Sequence, residues 1–158
     1  MGVVKKIEDL ERIKSWKGEL PVESLYTAGI AGEKFFRAIK EEGKFLATYC
    51  PKCDFVFLPP KIYCEFCFET LTEWREIPNR GRLEGYTILF LGPDGKELSQ
   101  PELVGLIRME NTDTVIVHRL GEMEPEEIEI GMELEAVFKR EREGNINDIL
   151  YFRPLEII

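Results

Sequence analysis

The chain has one histidine, four cysteines and two tryptophans in 158 residues, so few side chains suited to neutral-pH catalysis are on offer. No apolar run approaches the ~20 residues that a membrane helix needs, which excludes a helical span. The stretch from Met1 to Lys14 lacks the apolar core of a secretion signal, and the expectation is a cytoplasmic protein. Phosphate-gripping loops are missing as well, since Gly81-Arg82-Leu83-Glu84-Gly85 has neither the length nor the lysine of a P-loop. The single histidine, His118, follows Val115-Ile116-Val117, where an imidazole is more often a strand-surface or packed core residue than a catalytic base. There is no internal repeat and no low-complexity segment.

What is present describes a globular protein. Hydrophobic residues make up 44% and charged residues 32%, enough apolar material for one ordinary domain or two small ones sharing a core. The net charge of −9 is unevenly spread: residues 1–43 carry eight basic and eight acidic side chains, residues 44–82 six and five, residues 83–158 seven and seventeen. A C-terminal body at −10 repels phosphate backbones, so general nucleic-acid binding is not expected.

All four cysteines lie in two short runs, Cys50-Pro51-Lys52-Cys53 and Cys64-Glu65-Phe66-Cys67, separated by ten residues. Each C-x-x-C turn can aim two thiolates at one centre, and Pro59-Pro60 in the spacer favours a fold-back. The expected ligand set is Cys50, Cys53, Cys64 and Cys67 around a structural Zn2+. Disulfides are the alternative and require an oxidising compartment. Four thiolates leave no open coordination position, so such a zinc holds the fold and performs no chemistry.

In chain order, Ile7, Leu10, Ile13 and Trp16 recur every three residues among charges, a drifting helical stripe that packs on its own domain or is offered to a partner. A second helix is expected over 32–42, with Phe35, Phe36 and Ile39 on one side and Gly43 as a left-handed cap. From Lys44 the period becomes that of strands: 45–49 leading into the first cysteine pair, 55–58 leading out, 71–77 leaving the second. Further strands are expected over 82–91, 103–109, 114–120, 132–139 and 149–152, with a helical turn at 125–128. The fold expected is mainly β with N-terminal α-helices: a helical leader over 1–43, a rubredoxin-like zinc ribbon over 44–79, and a five-stranded OB-fold barrel over 80–158.

Arg80 and Arg82 flank Gly81 near Tyr86, a cluster suited to holding phosphate while an aromatic packs on adenine; ordinary surface arginines are the other reading. With the cysteines committed to metal, no nucleophile–base pair can be named, and the carboxylates form a solvated acidic face. The chain is therefore not expected to be an enzyme.

The succession Gly43-Lys44-Phe45, Cys50-Pro51-Lys52-Cys53, Phe57-Leu58-Pro59-Pro60, second cysteine pair, Trp74, Gly81-Arg82-Leu83, Ile130-Gly131-Met132 and Phe152-Arg153-Pro154 resembles the acyl-CoA-associated zinc-ribbon and OB-fold proteins, long catalogued as a domain of unknown function. The resemblance runs from about residue 25 to 155. It implies a non-catalytic companion of thiolase-type enzymes. Tyr26-Thr27-Ala28-Gly29-Ile30-Ala31-Gly32 is similar to the archaeal group, whose members bridge acetoacetyl-CoA thiolase and hydroxymethylglutaryl-CoA synthase and help complete a shared site for CoA or acyl-CoA in the early mevalonate pathway. Other relatives pair with different thiolases or with acyl-CoA hydratases. The rival readings are a nucleic-acid-binding ribbon–barrel module and an iron-containing electron carrier. One departure stands out: where many ribbons place glycine after each C-x-x-C, this chain has Asp54 and Phe68, which counts against an iron centre of the rubredoxin kind.

Overall fold

The computed structural model describes residues 26–155. The Ile7–Trp16 stripe lies outside the described residues.

Helix α1 (Gly29–Glu42) begins a turn earlier than the expected 32, and Ala31 in that extra turn is buried. Phe35 and Ile39, four apart on one face, are buried, while Phe36 is half-buried at the edge of the same cluster. Gly43 ends the helix at φ 64°; its N–H donates to the Ile39 carbonyl at 3.0 Å and the Lys44 N–H to that of Ala38 at 3.4 Å. Only glycine takes that conformation without cost, so Gly43 closes the helix and turns the chain into the sheet.

The ribbon is a three-stranded antiparallel sheet in which β1 (Phe45–Cys50) lies between β2 (Phe55–Phe57) and β3 (Glu73–Ile77). Phe45 and Ala47 alternate inward as period two requires. Thr48 is also buried because its hydroxyl donates to the Lys61 carbonyl and accepts from the Lys61 N–H, both at 3.0 Å. That bond returns the Pro59-Pro60 segment to β1.

The barrel is a five-stranded sheet ordered β6-β5-β4-β7-β8, with β4 Arg80–Leu91, β5 Glu97–Met109, β6 Ile116–Arg119, β7 Glu133–Phe138 and β8 Ile149–Pro154. Its ends meet through a parallel bridge between Leu120 and Phe152 and a 2.9 Å bond from the Gly121 N–H to the Phe152 carbonyl. This cyclic order is that of an OB barrel. Every expected strand is present. The largest boundary difference is β5, which starts at Glu97 rather than 103, because the β4–β5 hairpin continues to the turn at Gly92, where the N–H bonds the Lys96 carbonyl at 2.8 Å. The expected helical turn is a 3-10 turn at Pro125–Glu127.

Ribbon, helix and barrel share one core. Phe35, Phe45, Val56 and Ile77 belong to the same buried cluster as Leu83, Ile107, Leu134 and Phe152, and the Phe45 and Phe152 rings stack at 6.3 Å. Ladder-like bonds stitch β2 to the turn before β6: the Val56 N–H donates to Asp113 Oδ2 at 2.8 Å, the Asp113 N–H to the Val56 carbonyl at 3.0 Å, and the Leu58 N–H to Thr114 Oγ1 at 2.7 Å. Among the described residues no helix is long and apolar enough to cross a membrane.

Candidate functional site

The two C-x-x-C turns stand at the ribbon's tip, the first between β1 and β2, the second in the loop leading to β3. Their four sulfurs lie within 4.8 Å of one another. Cys50 Sγ is 3.6 Å from Cys67 Sγ, and Cys64 Sγ is 3.8 Å from Cys53 Sγ. A tetrahedron of sulfurs at about 2.3 Å from zinc has edges of about 3.8 Å, so the arrangement fits the ion. Cys50 and Cys64 are fully buried beside Phe57 and Leu71, while Cys53 and Cys67 are half-buried.

The knuckles repeat each other. Backbone N–H groups of Cys53 and Lys52 approach the Cys50 sulfur, and those of Cys67 and Phe66 approach that of Cys64. With no cation, the crowding splits the thiol acidities. Contact with Cys67, then burial, pushes Cys53 up to about 12. Burial also raises Cys64, but the N–H groups of Cys67 and Phe66 outweigh it and bring that thiol to about 7. A divalent ion lets all four ionise together.

The residues after each knuckle adopt the conformation glycine usually supplies, Asp54 at φ 50° and Phe68 at φ 60°. Asp54 is braced, its carboxylate accepting the Tyr49 hydroxyl at 2.7 Å while Arg75 lies 3.3 Å over the Tyr49 ring. Phe68 projects into solvent, 79% exposed, and its N–H closes the knuckle on the Cys64 carbonyl at 2.9 Å. The second knuckle thus keeps its shape with a phenylalanine at the strained position.

Arg80 and Arg82 are exposed on one face of β4, either side of the buried Gly81. A Cβ on Gly81 would stand 2.7 Å from the Arg108 carbonyl oxygen, which explains the glycine. Tyr86 lies on the opposite face. A bulge between Leu83 and Gly85 shifts the register, so Tyr86 pairs with Gly105, whose missing Cβ points at Leu83 and Leu120 of the core. The two arginines are brought together and the tyrosine is not. Gly85 inside a strand was the available signal for that bulge.

Sequence reasoning singled out His118 but missed its neighbours. Beyond the Leu120–Phe152 bridge, β6 and β8 part around a cleft of about 550 Å³, bordered by Glu102, His118, Arg119, Lys139 and Asn147 with Val117 and Leu150. The second basic residue, Lys139, directly follows β7, and nothing in the local sequence joins it to β6. His118 Nδ1 is buried with no hydrogen-bond partner among the described residues. Burial pushes the imidazole below its ordinary value, against the opposing effect of the Ile146 and Arg119 backbone.

With this geometry established, comparison with known proteins is specific. Residues 37–73 match the ChsH2 rubredoxin-like zinc ribbon domain and residues 74–139 the ChsH2 C-terminal OB-fold domain. A DUF35 domain-containing scaffold protein of Methanocaldococcus jannaschii is 31% identical over 127 residues, covering 77% of this chain and 89% of that protein. One of the same description from Pyrococcus furiosus is 29% identical, covering 77% and 91%. A crystal structure of a DUF35-family protein of unknown function from Sulfolobus solfataricus aligns with TM-score 0.59 at 29% identity, covering 69% of this chain and 78% of that one. The Ltp2-ChsH2(DUF35) aldolase aligns with TM-score 0.57 at 24% identity, covering 77% and 91%, a likeness of fold. A four-cysteine ribbon stapled to an OB barrel and matched along both halves places this chain in the DUF35 family of ChsH2-type zinc-ribbon and OB-fold proteins.

Proposed function

We propose that the chain is a non-catalytic scaffold subunit that binds acetoacetyl-CoA thiolase and hydroxymethylglutaryl-CoA synthase and helps form a shared acyl-CoA site in the early mevalonate pathway. The observation that carries the scaffold role is the match over most of its length to archaeal relatives of similar size described as scaffold proteins, and the choice of the two enzymes rests on the resemblance of Tyr26–Gly32 to the archaeal group. The chemistry agrees with it. The cysteine site is closed by four thiolates, so a bound zinc contributes rigidity, with Cys50, Cys53, Cys64 and Cys67 as its ligands.

Large apolar side chains left in solvent supply surfaces for partners. Tyr63, Phe66 and Phe68 are exposed around the second knuckle, and Phe90 and Leu91 near the tip of the β4–β5 hairpin. Clusters of this kind mark interaction sites more often than idle surface. Holding two enzymes side by side raises the effective concentration of one product at the next active site. Arg80 and Arg82 are assigned to the anionic end of the CoA ligand, while Tyr86 stands on the opposite face of β4 and is not beside them. Unchanged CoA affinity on replacing both arginines by alanine would remove that assignment.

The test of partnership is a tagged pull-down from the protein's own host under native conditions, with bound proteins identified by mass spectrometry. Recovery of a thiolase together with the synthase supports the reading. Ribosomal or polymerase components in their place would move the assignment to nucleic acid.

A further inference from the structure

The barrel's basic residues differ in how far they are neutralised. Arg108 is tied to Glu84, Arg153 to Glu135 and Glu122, and Lys96 to Asp94, while Arg142 is held by the carbonyls of Lys40 and Lys139. Arg119 and Lys139 differ. Arg119 has a long ion pair with Glu102, at 3.7 Å, a carboxylate that borders the same cleft and that an anion would displace, and Lys139 forms no ion pair among the described residues. Asp148, the acid close to Lys139, spends its carboxylate on the N–H groups of Glu143, Gly144 and Asn145 at 2.6 to 3.2 Å. Over residues 83–158, with seven basic and seventeen acidic side chains, Arg119 and Lys139 border one cleft, while Arg80, Arg82 and Arg140, which also form no ion pair among the described residues, do not border it.

That cleft has further features of a binding site. His118 lies on the core-facing side of β6, paired with Gly105, and borders the opening where β6 and β8 separate. Its unpartnered Nδ1 costs free energy unless something fills the need. Val117 and Leu150 are 66% and 39% exposed, giving an apolar border beside the polar one. A volume of about 550 Å³ is within the range of small-molecule sites. The second and third strands of an OB barrel, with the loop joining its fourth and fifth, form that architecture's usual ligand face, and β5, β6 and the loop before β8 occupy those places here.

We propose that the cleft at the β6–β8 seam binds a small organic phosphate, with Arg119 and Lys139 holding the phosphate, Asn147 donating a hydrogen bond, His118 forming the inner wall, and Val117 and Leu150 contacting the organic part. An oligonucleotide is a poorer match, because two cations engage one or two phosphates and the surrounding acidic surface repels a longer backbone. This inference does not rest on the scaffold reading, since it concerns the isolated chain.

The single histidine makes the test direct. The full-length zinc protein is titrated at constant ionic strength with inorganic pyrophosphate and, separately, with ADP, while the His118 imidazole resonances are followed by NMR across pH. The expected result is a saturable shift with both probes, tighter for ADP, and a rise of about one unit in the imidazole pKa as an anion settles beside it. R119Q/K139Q, folded by circular dichroism, should weaken both probes about tenfold or more, whereas K96Q at the distant hairpin turn should bind as the parent does. Absence of a saturable shift, equal binding by R119Q/K139Q, or a response to single-stranded DNA with none to either probe would each overturn the proposal. Loss of the thiolase interaction leaves this outcome untouched, so the two readings fail separately.

Discussion

At the knuckles, two turns bring four sulfurs together and cover the inner pair with Phe57 and Leu71; at the β6–β8 seam, two strands meet through the Leu120–Phe152 bridge and then part around a polar cleft. The first site has every coordinating group committed to one centre. The second leaves a buried imidazole nitrogen without a partner and two cations weakly neutralised. A closed site fixes structure and an open one is free to bind. The contrast separates a cysteine centre that fixes structure from a seam cleft whose groups are free for the small ligand proposed above.

The largest effect should come from breaking the closed site. Cys64→Ser, or stripping the metal from reduced protein, removes binding free energy on the order of 10 kcal/mol from the ribbon. Because Phe45, Ala47 and Val56 stand in the barrel's core, the loss should spread beyond the ribbon. Thermal melting followed by near-ultraviolet circular dichroism should show the barrel aromatics melting together with the ribbon, and elemental analysis of the parent should find one zinc per chain. An unchanged barrel transition would mean that the two halves fold separately.

Phe152→Ala probes the point where the seam is pinned. Phe152 is fully buried, stacks on Phe45 and supplies the parallel bridge to Leu120. Denaturant unfolding should report a loss of about 3–5 kcal/mol.

Asp148 tests the loop bordering the cleft. Burial raises its carboxyl, but three backbone N–H donors overcome that and hold the pKa below its ordinary value. A depressed carboxylate contributes stability that is complete above the unfolded pKa of about 3.9 and is lost as pH falls through the lower folded value. Asp148→Asn should cost about 2 kcal/mol at neutral pH and flatten the fall in melting temperature below about pH 4. An unaltered acid limb would locate the acid sensitivity elsewhere.

The smallest effect is expected at Phe68→Gly. The left-handed conformation at φ 60° disfavours a side chain, and this one has little packing to lose. Chemical denaturation should show a gain of up to about 1 kcal/mol, offset in part by the freer unfolded chain.

The ribbon was legible because its determinants are local. Two C-x-x-C spacings name the ligands, the alternation of Phe45 and Ala47 sets the inward face, and Gly43 marks the helix end within one residue. The barrel strands were legible for the same reason, with breakers such as Gly92-Pro93 standing between apolar runs. What could not be read depends on register and closure. The bulge at Leu83–Gly85 turns Tyr86 away from Arg80 and Arg82, a one-residue change that reverses a face. The seam cleft joins His118 and Arg119 to Lys139 and Asn147 across the barrel's closing edge, a juxtaposition no window along the chain contains.

Reconstitution tests the scaffold reading most directly. The purified zinc protein, the host's acetoacetyl-CoA thiolase and its hydroxymethylglutaryl-CoA synthase should be mixed and separated by size-exclusion chromatography with light scattering. One species containing all three chains should elute, and only when this protein is present. Three independently eluting species, or a thiolase–synthase complex that forms equally well without it, would contradict the scaffold reading.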